Sequence, residues 1–133
     1  IISGHENAPL STWEARGRGT IFLAAKGKNA RRNWLAGRLT TRGHIVIDAG
    51  AEKALARGNS LLPAGVRDVR GAFTRGDVVD IETEDGRVVA RGLSEYDAAD
   101  AARIAGRRSE DIAVLLGSVP RSVLVHRDHL VML

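Results

Sequence analysis

The apolar positions of this chain fall into short runs of at most five residues, most of them closed by glycine or a turn dipeptide. Ile21-Phe22-Leu23-Ala24-Ala25, preceded by Gly17, Gly19 and Thr20, predicts a buried strand over 21–25. Asn29 is placed to cap a short helix over 30–36, with Trp34 as its apolar anchor and Gly37 as its stop. His44-Ile45-Val46-Ile47 is β-branched and predicts a strand. Asp48 then stands where an N-cap oxygen is needed, so a two-turn helix is expected over 51–57, ended by Gly58. After the turn signal Leu61-Leu62-Pro63-Ala64-Gly65, a strand is expected over 66–69.

The next strand begins at Val78, and alternation of Val79 and Ile81 with Asp80, Glu82 and Glu84 predicts one wet face. Asp85-Gly86 is a hairpin signal, from which 87–93 returns antiparallel. Two helices are expected over 97–105 and 110–116, each ended by a glycine (Gly106, Gly117), the second capped by Ser109 with Glu110 and Asp111 behind it at the positive end of the dipole. Residues 123–125 and 130–133 read as two closing strands. Short strands, glycine turns and small helices imply a mainly β, α+β fold, a compact mixed barrel rather than a doubly wound parallel sheet.

Size and composition narrow this further. At 133 residues the chain holds one compact domain plus a short appended segment, and 44% hydrophobic residues suffice for a core. Aromatics are only 4%, so that core must be aliphatic. No apolar run is long enough for a membrane helix, and Ile1-Ile2 is followed at once by Ser3, Gly4, His5 and Glu6, which is not the pattern of a signal peptide. The opening reads instead as the end of a strand cut from something longer. With no cysteine, disulfide frameworks, zinc fingers and thiol nucleophiles are excluded, and a cytoplasmic setting is expected. Charge is uneven: residues 14–42 carry eight basic side chains (Arg16, Arg18, Lys26, Lys28, Arg31, Arg32, Arg38 and Arg42) against Glu14, net +7, whereas 43–133 sum to −2. The segment 27–42 is thus a basic linker, with Arg31, Arg32, Arg38 and Arg42 as candidate contacts for phosphates or an acidic protein face.

Four stretches resemble one family. Ala30-Arg31-Arg32-Asn33-Trp34-Leu35-Ala36-Gly37 is similar to a basic linker ending in Trp, an aliphatic, a small residue and Gly; Gly58-Asn59-Ser60-Leu61-Leu62-Pro63-Ala64-Gly65-Val66 to a loop after a first helix. Phe73-Thr74-Arg75-Gly76-Asp77-Val78-Val79 with Ala90-Arg91-Gly92-Leu93 and Tyr96 is similar to a barrel hairpin; Ile104-Ala105-Gly106 through Leu116-Gly117 and Val125-His126-Arg127-Asp128 to its closing elements. In this order they resemble the C-terminal region of bacterial glutamate 5-kinases, whose last domain is a PUA domain. Ile1-Ile2-Ser3-Gly4 and Gly19-Thr20-Ile21-Phe22 resemble the last strands of that family's amino-acid kinase domain. Asn33 departs from the usual basic residue. The resemblance implies a remnant of an α/β amino-acid kinase domain at 1–26, the linker at 27–42 and a PUA pseudo-barrel at 43–133.

It also implies a parent enzyme that phosphorylates the glutamate side chain with ATP and Mg in the first step of proline synthesis, with this chain an accessory or regulatory part that is inactive alone and holds no cofactor. The kinase domain would be its partner, no membrane is involved, and a homo-oligomer is left open. Gly27-Lys28-Asn29 is no Walker loop, because the upstream glycine is misplaced and no Ser or Thr follows the lysine. His126 and His129 with Asp128 invite a metal reading, but a spacing of three sends two strand side chains to opposite faces unless the strand bends, so no metal site is expected. The alternative function is an autonomous RNA-binding module. Its surface would be Lys53, Arg57, Asn59 and Ser60 with Arg75, where Gly58 and Gly65 let backbone donors approach phosphates.

Overall fold

The computed structural model describes the chain except at positions 3, 6, 18, 23–33, 36, 38, 39 and 118–120. The predicted strand over 21–25 and helix over 30–36 therefore fall largely outside the described residues, as do Arg31, Arg32 and Arg38. Near the amino terminus a helix not foreseen from the sequence, α1 (Pro9–Arg16), has proline in its first turn and Gly17 in the left-handed region at its end. The Thr20 amide donates to the Ile1 carbonyl at 2.9 Å, so the two ends of this segment meet.

From residue 43 the fold is a five-stranded mixed sheet with three helices. The elements are β1 (Gly43–Ile47), α2 (Ala49–Ala56), a 3₁₀ turn (Pro63–Gly65), β2 (Val66–Gly71), β3 (Val78–Thr83), β4 (Val88–Ser94), α3 (Ala98–Ile104), α4 (Ser109–Leu116) and β5 (Val125–Met132). The strand order is β2-β1-β3-β4-β5. β1 and β3 are parallel, and every other pair is antiparallel. Local signals set most of this. The Asp48 side chain accepts from the Ala51 amide at 2.8 Å and starts α2. Gly86, at φ 85°, closes the β3–β4 hairpin with its amide on the Thr83 carbonyl.

Ile45 and Ile47 of β1, Val79 and Ile81 of β3, Leu55 of α2, Ile104 of α3 and Ile112 of α4 fill one aliphatic core. Each is worth about 1.5–3 kcal/mol in burial. Phe73 and Tyr96 are the aromatic members of that core. The sheet is drawn round by a bridge between Leu61 and Val125, in which the Leu61 amide donates to the Val125 carbonyl at 2.9 Å. No helix among the described residues is long and apolar enough to cross a membrane.

Four expectations need correcting. The outer face of β3 is not wet: Asp80 and Glu82 are both buried, and only Glu84 is exposed. Arginines cover them. Arg91 Nε donates to Asp80 at 2.7 Å, and its Nη1 donates to the Gly37 carbonyl at 3.1 Å, so Gly37 lies over this face. Glu82 meets Arg70 at 3.1 Å and His44 at 3.5 Å. Second, Leu35 and not Trp34 is the buried anchor ahead of the sheet; Trp34 is about half exposed. Third, α4 starts one residue early, with Arg108 in the cap position and no side-chain cap bond. Fourth, the two closing strands are one, β5, and its polar middle is a bulge.

Candidate functional site

The surface around α2 is built by Asp48 and two glycines. Besides capping α2, Asp48 pairs with Arg67 at 3.0 Å, and its own amide donates to the Gly65 carbonyl. A Cβ on Gly65 would stand 2.6 Å from that of Ala51, so the bare glycine serves close packing of the 3₁₀ turn on α2. Gly58, at φ 85°, turns the chain out of the helix. The result is a cleft of about 420 Å³ between α2 and the turn, lined by Gly50, Ala51, Ala54, Asn59, Leu62 and Ala64 among others. Asn59 also lines a second, more polar cleft of about 470 Å³ with Gly58, Arg127 and Asp128.

Of the residues singled out from sequence, Lys53, Arg57 and Asn59 are exposed here. Ser60 is partly buried, and its hydroxyl accepts the Arg127 amide at 2.9 Å, which ties the loop to β5. Arg42, the described member of the basic linker set, is exposed; its amide donates to the Val78 carbonyl and extends the β1–β3 pairing backwards. Arg75 belongs to another constellation. It stands in the turn over 74–77, where the Asp77 carboxylate accepts from both the amide and the hydroxyl of Thr74. Those two bonds, the amide first, hold the Asp77 carboxyl below its ordinary range.

That second constellation surrounds Glu95, just past β4, whose side chain is 7% exposed. One of its oxygens meets Arg121 Nη1 at 3.1 Å and Arg75 Nε at 3.7 Å; the other meets His129 Nδ1 at 3.5 Å. Beside it, burial pushes the Tyr96 hydroxyl above its ordinary value, and that hydroxyl donates to the Arg121 carbonyl. His126 and His129 are not on opposite faces. Gly92 pairs with Leu130 and Ser94 with Val125, so four residues of β5 bulge out against Leu93 alone, bringing the two rings to a centroid distance of 5.8 Å. Gly92 permits this, because a Cβ there would lie 2.5 Å from the Val125 side chain and 3.0 Å from the His129 carbonyl.

Among the described residues no group of three or more His, Asp or Glu side chains is placed to hold a metal ion. Sequence reading missed Glu95, Arg121 and His129 as a unit, since their positions are separated along the chain and only the β5 bulge gathers them.

A family model described as "PUA domain" matches residues 43–116. Over all 133 residues the chain is 53% identical to a protein named glutamate 5-kinase from Novosphingobium aromaticivorans and 56% identical to one from Sphingopyxis alaskensis, covering 35% of each. It thus spans about a third of the length of these curated relatives, and the matched third is their C-terminal part. Among solved structures, a PUA domain from Aeropyrum pernix is 32% identical, with 63% of this chain and 41% of that one covered and a TM-score of 0.46. With more than half of its residues matched by the family model, this chain belongs to the PUA domain family.

Proposed function

We propose that this domain is the accessory C-terminal part of a glutamate 5-kinase, and that it positions or regulates the kinase domain without itself catalysing phosphoryl transfer. The observation that carries this reading is the extent of the likeness. It runs through the whole chain, including the segment ahead of the PUA domain, at 53% identity to a protein of which it spans 35%. Moving the ATP γ-phosphate to the glutamate carboxylate requires clustered backbone donors, a lysine and a metal ion to offset charge on the transferring group. On this reading those parts, with ATP and Mg, belong to the two thirds of the parent protein that precede this region. The kinase domain is then the partner.

The test is direct: purified chain is mixed with ATP, Mg and glutamate, and ADP release is followed by a coupled assay. No turnover above background is expected. Turnover that persists through further purification and tracks the protein peak would refute the reading.

A second reading, an RNA-binding module, has one observation in its favour: Lys53 and Arg57 stand exposed on the helix that borders the 420 Å³ cleft. If that surface binds structured RNA, Lys53→Glu with Arg57→Glu abolishes binding while the fold persists. If only the +7 segment binds, removing residues 1–42 abolishes it, with a steep salt dependence. We expect the second pattern, because residues 43–133 carry net −2.

A further inference from the structure

The Glu95 constellation is one end of a continuous charged chain across the surface. Arg75 and Arg121 meet Glu95, which meets His129. The His129 ring lies beside that of His126, and His126 Nδ1 is 3.6 Å from Asp128, which meets Arg127 at 3.9 Å. The carboxylate that holds the two arginines and His129 is buried, while the arginines are open: the side chains of Arg121 and Arg75 are 45% and 56% exposed. Such layering, acid beneath and base above, leaves unused donors at the surface. Among the described residues, Arg121 uses Nη1 on Glu95 with Nε and Nη2 left over, and Arg75 uses Nε with both terminal nitrogens left over.

His126 adds a donor rather than a lone pair, and His129, with Nδ1 on Glu95, donates from Nε2 only when its ring is protonated. His126 Nδ1 accepts the Asp128 amide at 3.2 Å, so the neutral ring carries its proton on Nε2, which makes that nitrogen a donor and a poor metal ligand. Counting Arg75, Arg121 and Arg127 against Glu95 and Asp128, the patch keeps a surplus of +1 with both rings neutral, on a stretch of chain whose total is −2.

We propose that Arg75, Arg121, His126 and His129 form a binding site for a phosphate group, with Glu95 as the buried counter-ion that positions three of them. Phosphate fits better than a carboxylate ligand. Donors arriving from three separate segments (the 74–77 turn, residue 121 and the β5 bulge) suit a tetrahedral anion with several acceptor oxygens, whereas a planar carboxylate is satisfied by one guanidinium fork. The ligand phosphate is either a free monoester or one phosphate of a nucleic-acid backbone.

The experiment is an NMR titration of the 133-residue chain, following the arginine Nε and histidine ring resonances with inorganic phosphate, with a uridine octanucleotide, and with sodium chloride at matched ionic strength. Saturable shifts at Arg75, Arg121, His126 and His129 are expected with phosphate and not with chloride. Arg121→Gln and Arg75→Gln should each raise the Kd for phosphate about fivefold or more, because each removes a charged fork. Arg87→Gln, at the opposite end of β4 from Glu95, should leave it unchanged. Both arginines are exposed, so these variants keep the fold, and their amide spectra check it. Octanucleotide binding tighter than inorganic phosphate at the same four residues identifies the backbone as the source, and equal or weaker binding a free monoester. Shifts that follow ionic strength alone, or phosphate binding that survives both arginine substitutions, would overturn the proposal.

Discussion

Two carboxylates on the same sheet are nearly buried, and each holds arginine, yet their surroundings differ. At Asp80 the partner, Arg91, is itself covered, its side chain 18% exposed, and it also donates to the Gly37 carbonyl. At Glu95 the two arginines stand in solvent. The first arrangement uses its donors inside the protein and ties Gly37 to the sheet. The second leaves donors unspent. One pairing chemistry therefore serves architecture on one face and stands ready for a ligand on another, and what separates them is whether the cation is roofed.

Breaking the roofed pair should have the largest effect. Arg91→Met leaves Asp80 buried without its cation and the Gly37 carbonyl without its donor, and should cost about 3–5 kcal/mol in a urea unfolding series. The same variant should speed tryptic cleavage after Arg42, because Gly37 loses its tie to the sheet. Gly92→Ala comes next, at about 1–3 kcal/mol, since the new methyl would have to displace Val125 and the His129 carbonyl. It sharpens the comparison as well: the His126 and His129 ring resonances should move with it, while those of Arg91 stay. Arg121→Met should alter stability by less than about 1 kcal/mol in the same series, as an exposed partner of a carboxylate that retains Arg75 and His129.

The smallest effect lies in acid. Asp77 has its carboxyl lowered by the Thr74 amide, so it stabilises the folded state above its unfolded pKa near 3.9. That contribution is lost as pH falls through the lower folded value. Asp77→Asn should therefore be less stable than the parent chain at pH 6, with the gap closing below about pH 4 in parallel thermal melts.

What the sequence disclosed divides along the same line. Asp48 capping α2, Gly58 ending it and Asp85-Gly86 turning the hairpin were legible because each acts on backbone within a few residues. The cover over Asp80 and Glu82 was not, because its arginines come from positions 91 and 70 and nothing local distinguishes them from solvated charges. The polar run His126-Arg127-Asp128-His129 looked like a gap between two strands, and only pairing with β4 reveals a bulge. Of the candidate binding residues, Lys53, Arg57, Asn59 and Ser60 were found together because they are neighbours along the chain. Arg75 was grouped with them by resemblance, and its contact with Glu95 depends on the turn over 74–77.

The bridge between Leu61 and Val125 sets an order of events during synthesis. Val125 is made 64 residues after Leu61, and of the strands in this sheet β5 is the last to be made. Until it does, β4 has an open edge and the loop after α2 has nothing to close against. Segments ahead of the sheet have by then been free for seconds, at about 5–20 residues per second, and can finish folding first. Closure of this domain is thus a late event on the growing chain, and a translation product stopped before residue 125 would present an unpaired strand to chaperones rather than a shortened version of the fold.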